Sequence, residues 1–299
     1  MQSLKRFADA RPREAVALVV RPEARERLPI AGAPRLSVAA AQLLREIRVS
    51  DEYGDDHAIQ VPVERPLSVV MDGNAVGTLW TLGASPEWLV LGYLWNQQRF
   101  ADVRSLESIT VDWSTGTATI RSRAGAQSSG DRGGQQLLGV SARLGTDAAG
   151  ALIEAGALPK LGRTRISRTT LLSVIESVPQ DEAVYRAAGS VHGCALFSGP
   201  DLWISVEDVS RRNALDTIIG WMALHGVSGN EKILFTTGRL TAEIVAKAAY
   251  SGVSIVVSRK GITASCYDLA AKLEMTLFGH AAKGRYLCYA GLERFDVNT

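Results

Sequence analysis

The stretch Glu207-Asp208-Val209-Ser210-Arg211-Arg212-Asn213-Ala214-Leu215-Asp216 separates two apolar runs, residues 202–206 and residues 218–222. The first run has the length and composition of a buried strand, and the second continues as a helix. The first turn of a helix has unpaired N–H groups and the positive end of the helix dipole, so such a junction favours an anion. The acids, the two arginines and the asparagine between the runs therefore predict a site for a charged ligand.

A second junction of the same kind follows along the chain. Residues 232–235 predict a buried strand, and Thr236-Thr237-Gly238-Arg239 predicts a turn. Thr241 is a typical N-cap for a helix over residues 242–250, which Gly252 would end. In the turn, Gly238 would let a ligand approach the backbone, and Arg239 offers the planar pair of donors that suits a phosphate.

Short apolar strands alternate with helices from about residue 189 to the end of the chain. This alternation is typical of an α/β fold with a largely parallel sheet. Ligands of such sheets bind outside the carboxyl ends of the strands. Both junctions follow strands, as does Ser258-Arg259 after the strand at 253–257. We therefore expect three polar turns to gather at one edge of the sheet.

The chain as a whole is predicted to divide into four segments that differ in composition. The first is an N-terminal extension that we expect to be partly disordered apart from one short helix at 37–47, because it is rich in Arg, Ala and Pro. Ser85-Pro86-Glu87 marks the start of a helix in the second segment. The segments are 1–47, the extension; 48–123, a smaller α+β module with strands at 57–63, 67–71 and 75–81 and a hairpin at 106–123; 124–165, a loop or lid; and 166–299, the ligand-binding α/β domain, with helices at 167–177 and 180–187.

Composition excludes several classes of function. The net charge of +2 over 299 residues gives no reason to expect a nucleic-acid partner. No apolar run approaches the roughly 20 residues that a membrane span needs, and no signal peptide is recognisable. The three cysteines are odd in number and widely spaced, which predicts free thiols, no metal site and a cytoplasmic protein.

The two junctions resemble the FdhD/NarQ family of formate dehydrogenase accessory proteins. Residues 207–214 are similar to the family's Glu-Asp-Val-Gly-Arg-His-Asn-Ala, and Thr237-Gly238-Arg239 is similar to its Ser-Gly-Arg before a helix. Further similar segments, spread over most of residues 60–290, are Glu64-Arg65-Pro66-Leu67, Gly92-Tyr93-Leu94, Gly189-Ser190-Val191-His192, and Ser258-Arg259 with Thr263. The resemblance implies a cytidine-deaminase-like three-layer domain for the C-terminal half and a symmetric homodimer.

One departure from the family changes the expected function. Its sulfurtransferases carry a Cys-x-x-Cys loop, but residues 127–158 contain no cysteine, and residues 140–145 fall about where that loop would be. A persulfide carrier needs a thiolate, which this region cannot supply. The chain therefore resembles the FdsC-type branch, to which binding of the molybdenum cofactor and its transfer to formate dehydrogenase are ascribed.

The resemblance thus implies a cofactor chaperone more than an enzyme. Its cargo would be bis-molybdopterin guanine dinucleotide, for which GDP would be a mimic, and its partner would be the catalytic subunit of formate dehydrogenase. One alternative is a sulfurtransferase that acts on the bound cofactor, with a cysteine desulfurase as a further partner and a thiol from Cys194, Cys266 or Cys288. The other alternative is a guanine-nucleotide-binding paralogue.

Each candidate side chain also has a structural interpretation. Arg211, Arg212 and Arg239 could contact phosphate, or they could form ion pairs, for which Arg212 and Asp216 have helical i,i+4 spacing. Glu243 could reach the ligand, or it could form a surface pair with Lys247. The predicted cofactor-binding set is His192, Glu207, Asp208, Arg211, Arg212, Asn213, Asp216, Thr237, Gly238, Arg239, Glu243, Ser258 and Arg259.

The remaining alternatives concern the acids and the residues that begin the strand after Gly189. Glu207 or Asp208 could accept hydrogen bonds from a guanine edge or a sugar hydroxyl, or could cap a helix. His192 could belong to the site or be structural. Cys194 could serve as a substitute sulfur carrier, although a small buried hydrophobic role is the stronger expectation.

Overall fold

The computed structural model describes residues 16–39, 41–124, 161–178 and 182–298. Its helices are α1 (Pro22–Arg25), α2 (Pro86–Asn96), α3 (Arg168–Ser177), α4 (Ala183–Ala188), α5 (Arg211–Leu224), α6 (Ala242–Tyr250) and α7 (Ala264–Lys272). Its strands are β1 (Leu18–Val20), β2 (Arg35–Leu36), β3 (Leu44–Ser50), β4 (Asp56–Pro62), β5 (Arg65–Met71), β6 (Asn74–Thr81), β7 (Leu106–Asp112), β8 (Thr117–Ser122), β9 (Ile166–Ser167), β10 (His192–Ser198), β11 (Asp201–Asp208), β12 (Lys232–Thr236), β13 (Ile255–Ser258), β14 (Thr276–Ala282), β15 (Arg285–Ala290) and β16 (Phe295–Asp296). Among the described residues, no helix is long and apolar enough to cross a membrane.

The α/β class is confirmed, but the main sheet is mixed rather than largely parallel. Its strand order is β1-β11-β10-β12-β13-β14-β15, and only the β12–β13 and β13–β14 pairs are parallel. Parallel neighbours need a crossover connection, which α6 and α7 supply. By contrast, the short turn at Gly199 joins β10 to β11 and makes that pair antiparallel. The crossover through α5 leads from β11 to β12, which are separated by β10.

This topology brings the predicted polar turns to one edge of the sheet. Strands β11, β12 and β13 end there, and β10 begins there because it runs antiparallel to both of its neighbours. The register places His192 opposite Asp208 and Thr236 opposite Ser258. The expectation that three polar turns gather at one edge is therefore confirmed.

Helices cover both faces of the sheet, as a three-layer arrangement requires. Side chains alternate along each strand, so Leu234 and Val256 face α5, α6 and α7, whereas Phe235 and Val257 face α3. Helix α3 begins where predicted, and its N-cap Ser167 accepts a hydrogen bond from the N–H of Thr170. The apolar side chains packed on the two faces of the sheet fix the strand ends, and with them the polar turns, in position.

The N-terminal module is joined to this domain by a close contact between two helices. Its five-stranded sheet has the order β2-β7-β8-β5-β6 and carries α2, which packs along α5. A Cβ atom built on Gly92 would lie 1.8 Å from the carbonyl oxygen of Asp216, and one built on Gly220 would lie 1.9 Å from that of Trp88. Only glycine at both positions lets the two backbones approach this closely.

Part of the predicted N-terminal extension belongs to the two sheets. Strand β1 pairs with β11, and β2 pairs with β7. The predicted helix at 37–47 is wrong, because residues 44–50 form β3, in which Ile47 lies opposite Ile59 of β4. Alternating side chains and a partner strand outweigh the helical spacing of the local apolar residues. Residues 1–15 and 125–160, which include most of the predicted lid and residues 140–145, lie outside the described residues.

Candidate anion-binding site at the sheet edge

The two polar junctions meet at Arg211 and Gly238. Arg211 is the first residue of α5. The N-cap of this helix is Ser210, whose hydroxyl oxygen accepts a hydrogen bond from the N–H of Arg212 at 3.3 Å. A Cβ atom built on Gly238 would lie 2.6 Å from Cδ and 3.1 Å from Cβ of Arg211. Glycine is therefore required at this position for the Arg211 side chain to lie over the second turn.

Arg211 has an unpartnered donor in a positively charged environment. Its Nε is buried and has no hydrogen-bond partner among the described residues. Burial lowers the pKa of Arg211 from its ordinary value, and the charges of Arg212 and Arg239 lower it further. Arg239 is exposed, and within the described part of the chain we find no hydrogen bond or ion pair to its side chain. An anion between these guanidinium groups would supply the missing acceptor and reduce their mutual repulsion.

Arg212 pairs with Glu243 rather than with Asp216. The Arg212 Nε to Glu243 Oε2 distance is 2.7 Å, whereas Asp216 faces the interior on the other side of α5. There Asp216 accepts hydrogen bonds from Lys247 Nζ at 2.8 and 2.9 Å and from Asn96 Nδ2 at 2.7 Å. The alternative of an Arg212–Asp216 pair is therefore not realised. The i,i+4 pair of Glu243 and Lys247 does form, with 3.6 Å between Glu243 Oε1 and Lys247 Nζ, but Lys247 is buried, so it is not a surface pair.

Asp208 connects the N-terminal module to the first junction. It accepts hydrogen bonds from the Thr81 hydroxyl at 2.6 Å, the N–H of Leu82 at 3.1 Å and the N–H of Ser210 at 3.0 Å. The Asn213 amide donates to it at 2.9 Å and also donates to the carbonyl of Trp80. The buried acceptors of Asp208 are thus filled from within the fold, whereas the side-chain cap of α5 is Ser210.

Glu207 holds the first turn of α4. Its two carboxylate oxygens accept hydrogen bonds from the N–H groups of Val184 and Tyr185, both at 2.8 Å. Burial raises the pKa of Glu207 to about 7, and the two N–H donors only partly offset that rise. Glu207 is therefore also a capping residue, for a helix different from the one that follows it in sequence.

The other predicted residues line the turns. The Thr237 hydroxyl accepts a hydrogen bond from the N–H of Gly193 at 2.9 Å. The Ser258 hydroxyl donates to the carbonyl of Gly238 at 2.7 Å and so fixes the second turn to the third. Arg259 donates to Glu182 at 2.7 Å. These three side chains shape the polar edge mainly by holding its turns together.

His192 lies beside the arginines. It is half-buried, and burial lowers its pKa, as does the nearby charge of Arg211. Its ring makes no hydrogen bond to any of the residues that the structure describes. The structure thus brings together His192, Arg211 and Arg239 as groups with free bonding capacity, whereas the predicted acids are engaged elsewhere.

Sequence reasoning missed several residues that support this site. Thr81, Asn96 and Glu182 each form a hydrogen bond to a junction residue that lies more than 75 residues away in sequence. No local pattern indicates such contacts. Two clefts of about 480 and 740 Å³ lie elsewhere, one beside β2 and β7 and the other at the opposite end of the main sheet.

The three cysteines are poorly suited to sulfur transfer. Burial raises the pKa of Cys194 to about 12 and that of Cys266 to about 12. Burial also raises the pKa of Cys288, whose thiol donates to the carbonyl of Ala290. Since the thiolate is the reactive species, all three are held in the unreactive form near neutral pH. For Cys194 this agrees with a small buried hydrophobic role.

The protein is a mixed α/β protein with arginines gathered at the carboxyl ends of its sheet strands, and comparisons with known proteins specify its class further. The sequence profile of the FdhD/NarQ family matches residues 62–296. The chain therefore belongs to the FdhD/NarQ family, as the junction motifs predicted.

Individual relatives agree with this assignment. The sulfur carrier protein FdhD of Bacillus pumilus (strain SAFR-032) is 27% identical over 235 residues, which are 79% of this chain and 90% of that protein. The protein of the same name from Halalkalibacterium halodurans is 27% identical over 255 residues, 83% of this chain and 93% of that protein. The fold is similar to the crystal structure of a candidate formate dehydrogenase accessory protein from Desulfotalea psychrophila, with a TM-score of 0.68, 22% identity, and coverage of 84% of this chain and 98% of that chain.

Proposed function

We propose that this protein binds the molybdenum cofactor as bis-molybdopterin guanine dinucleotide and delivers it to apo-formate dehydrogenase. The observation that carries the proposal is the buried, unpartnered Nε of Arg211, which lies over Gly238 beside the exposed Arg239. Two guanidinium groups without acceptors suit the diphosphate of a dinucleotide. Membership of the FdhD/NarQ family supports an accessory role and the choice of formate dehydrogenase as the partner.

Two helix N-termini add to the positive character of the site. Helices α5 and α6 both begin at the polar edge, at Arg211 and Ala242. The Thr241 hydroxyl makes no capping hydrogen bond, so the first N–H groups of α6 lack that side-chain acceptor. Phosphate oxygens accept hydrogen bonds from such groups. The second junction therefore combines free backbone donors with the Arg239 side chain.

The cysteines favour cofactor binding over sulfur transfer. The relatives described above are named sulfur carrier proteins. In this chain residues 127–158 contain no cysteine, and burial keeps Cys194 and Cys266 protonated. We therefore favour a chaperone that protects and transfers its cargo, acting as a homodimer, over a sulfurtransferase that receives sulfur from a cysteine desulfurase.

Calorimetric titration with GDP tests the binding step. Wild-type protein is expected to bind GDP saturably, and Arg239→Ala is expected to weaken binding about tenfold or more, because charge-assisted hydrogen bonds contribute roughly 1.5–3 kcal/mol. Arg48→Ala, which removes an exposed arginine of β3, is the matched control and should leave the affinity unchanged. Absence of GDP binding by the wild type, or equal binding by Arg239→Ala, would contradict the proposed phosphate site.

Reconstitution of apo-formate dehydrogenase tests delivery and separates the alternatives. A variant in which Cys194, Cys266 and Cys288 are all replaced by alanine should activate the dehydrogenase as well as the wild type does, provided that circular dichroism shows it folded. Loss of activation with retained GDP binding would favour the sulfurtransferase. GDP binding by a protein that never activates a formate dehydrogenase would favour the guanine-nucleotide-binding paralogue.

A further inference from the structure

His280 has an unusual backbone conformation at the edge where the proposed ligand binds. It lies near the end of β14 with φ of +52°, and the pairing of β14 with β15 is irregular between Gly279 and Ala282. Non-glycine residues seldom adopt positive φ, and such residues concentrate at functional sites. The N–H of His280 donates to the carbonyl of Lys260 at 3.0 Å, which fixes the residue to the third polar turn.

The imidazole of His280 lies on the turn that adjoins Arg239. A Cβ atom built on Gly261 would lie 3.1 Å from Nε2 of His280, so the ring contacts the turn backbone at that glycine. The carbonyl of Gly261 accepts a hydrogen bond from the N–H of Leu240 at 3.1 Å, and Leu240 follows Arg239 directly. His280 and Arg239 therefore flank the same turn. Strands β12 and β14 are two strand spacings apart, so the two ends are separated by roughly 10 Å.

Tyr289 extends the aromatic surface that begins at His280. The two ring centroids are 6.4 Å apart and their planes are inclined by 38°. A Cβ atom built on Gly279 would lie 2.7 Å from Cε2 of Tyr289 and 3.0 Å from the carbonyl oxygen of Lys260. The absence of a side chain at Gly279 thus lets the tyrosine ring pack onto the end of the third turn. Lys260 itself is exposed beside the two rings.

Of the two rings, Tyr289 is partly buried and packs against the main apolar core, whereas His280 is exposed. The His280 side chain is exposed and, across the described part of the chain, makes no hydrogen bond. Aromatic faces at the margin of a phosphate site are suited to stack on the planar ring of a nucleotide, with a contribution that does not depend on hydrogen-bond readout.

We propose that His280 and Tyr289 form a ring shelf that binds the planar base of a nucleoside diphosphate whose phosphates lie against Arg211 and Arg239. The inference rests on the proposed function, because it requires an anion at the arginines. The ring shelf would contact the base, which the carboxylates of Glu207 and Asp208 cannot do. Glu207 and Asp208, which the sequence predicted as acceptors for a guanine edge, are already occupied by donors of the fold.

Calorimetry with GDP and with inorganic pyrophosphate separates the ring shelf from the phosphate site. His280→Ala is expected to weaken GDP binding about tenfold, as loss of one base–aromatic stack does, and to leave pyrophosphate binding unchanged. His280→Phe retains a flat ring and should retain GDP binding. Tyr289→Leu provides a second removal of a ring. Tyr53→Ala, which removes an exposed ring at the β3–β4 turn, is the matched control.

The outcomes distinguish failure of the shelf from failure of the proposed function. If GDP binding depends on Arg239 but is unaffected by His280→Ala and Tyr289→Leu, the ring shelf is wrong and the phosphate site stands. Equal weakening of GDP and pyrophosphate by His280→Ala would also overturn the shelf, because the histidine would then serve the phosphates. If the wild type binds neither ligand, both proposals fail.

Discussion

Replacing Lys247 by methionine tests whether the buried ion pair between Lys247 and Asp216 stabilises the helices next to the polar edge. Lys247 Nζ lies 2.8 Å from Asp216 Oδ1, and both residues are buried between α5, α6 and α2. Methionine has a similar volume but no charge. The substitution therefore leaves the Asp216 carboxylate with the Asn96 amide as its remaining side-chain donor.

The expected magnitude follows from desolvation of the carboxylate. Breaking a buried ion pair by removing one partner costs about 3–5 kcal/mol, because an uncompensated charge stays in a medium of low dielectric constant. We expect Lys247→Met to lower the free energy of unfolding by that amount near pH 8. The double variant Asp216→Asn/Lys247→Met should recover much of the loss, since neither side chain then carries a charge.

The loss should depend on pH with a definite sign. Burial raises the pKa of Asp216 above its ordinary value, and Lys247 opposes that rise. Without Lys247 the pKa in the folded state rises further, while the pKa of the unfolded chain is unchanged. At a pH between the unfolded and folded pKa values, the Asp216 carboxyl of the folded protein then keeps a proton that the unfolded chain has released. The deficit is therefore greatest at alkaline pH and shrinks as pH falls toward the ordinary pKa of the carboxyl.

Urea unfolding monitored by tryptophan fluorescence at about pH 8 and about pH 5.5 measures both effects. Lys272→Met, which removes an exposed lysine from the last turn of α7, is the matched control and should cost less than about 1 kcal/mol. A loss below about 1 kcal/mol for Lys247→Met, or a loss that grows on acidification, would refute the argument that the pair neutralises a buried charge.

Three further substitutions test other parts of the structure. Gly92→Ala would place a Cβ 1.8 Å from a carbonyl oxygen of α5 and should cost at least about 2 kcal/mol in urea unfolding, whereas Gly162→Ala, with its nearest atom at 3.4 Å, should be nearly neutral. Glu207 has a pKa of about 7 in the fold against an ordinary value of 4.5, so stability should fall as pH rises between those values, and Glu207→Gln should flatten that slope in a pH series of urea midpoints. His280→Gly should be more stable than His280→Ala by up to about 1 kcal/mol, and so unfold at a higher temperature, because glycine tolerates the positive φ. Equal stabilities of the two variants would argue against backbone strain at this residue.

The sequence predicted the order of elements in the C-terminal half well, because its signals there are local. Helix α3 starts after a capping serine, and β12, α6 and β13 follow the apolar runs and turns that predicted them. Pairing direction is not a local property. The antiparallel position of β10 between β11 and β12 depends on the short turn at Gly199 and on a crossover that passes over one strand. Periodicity alone carries no information on that choice.

The sequence predicted that the polar junction turns meet at one edge of the sheet, and it left open what their side chains contact. The junction turns do meet, and Arg211 and Arg239 do retain free donors. For Glu207 and Asp208 the sequence allows either ligand contact or a structural role, and in the structure donors of the fold fill their acceptors. The partners that decide this are the N–H groups of Val184 and Leu82 and the side chain of Thr81, which lie far away in sequence. A single sequence without these contacts leaves the alternatives open.

The internal engagement of the acids determines what the polar edge can bind. In sequence, the junction motifs carry nearly balanced charge, which would give a ligand both donors and acceptors. In the fold, Glu207 is occupied by helix N–H groups, Asp216 by Lys247, and Glu243 by Arg212. The predicted residues that keep free bonding capacity are the cations Arg211 and Arg239, with the His192 ring beside them. Packing within the fold thus leaves two arginines without acceptors in a stretch of sequence that carries both signs of charge, which is why the proposed ligand contact is with phosphate and not with a base edge.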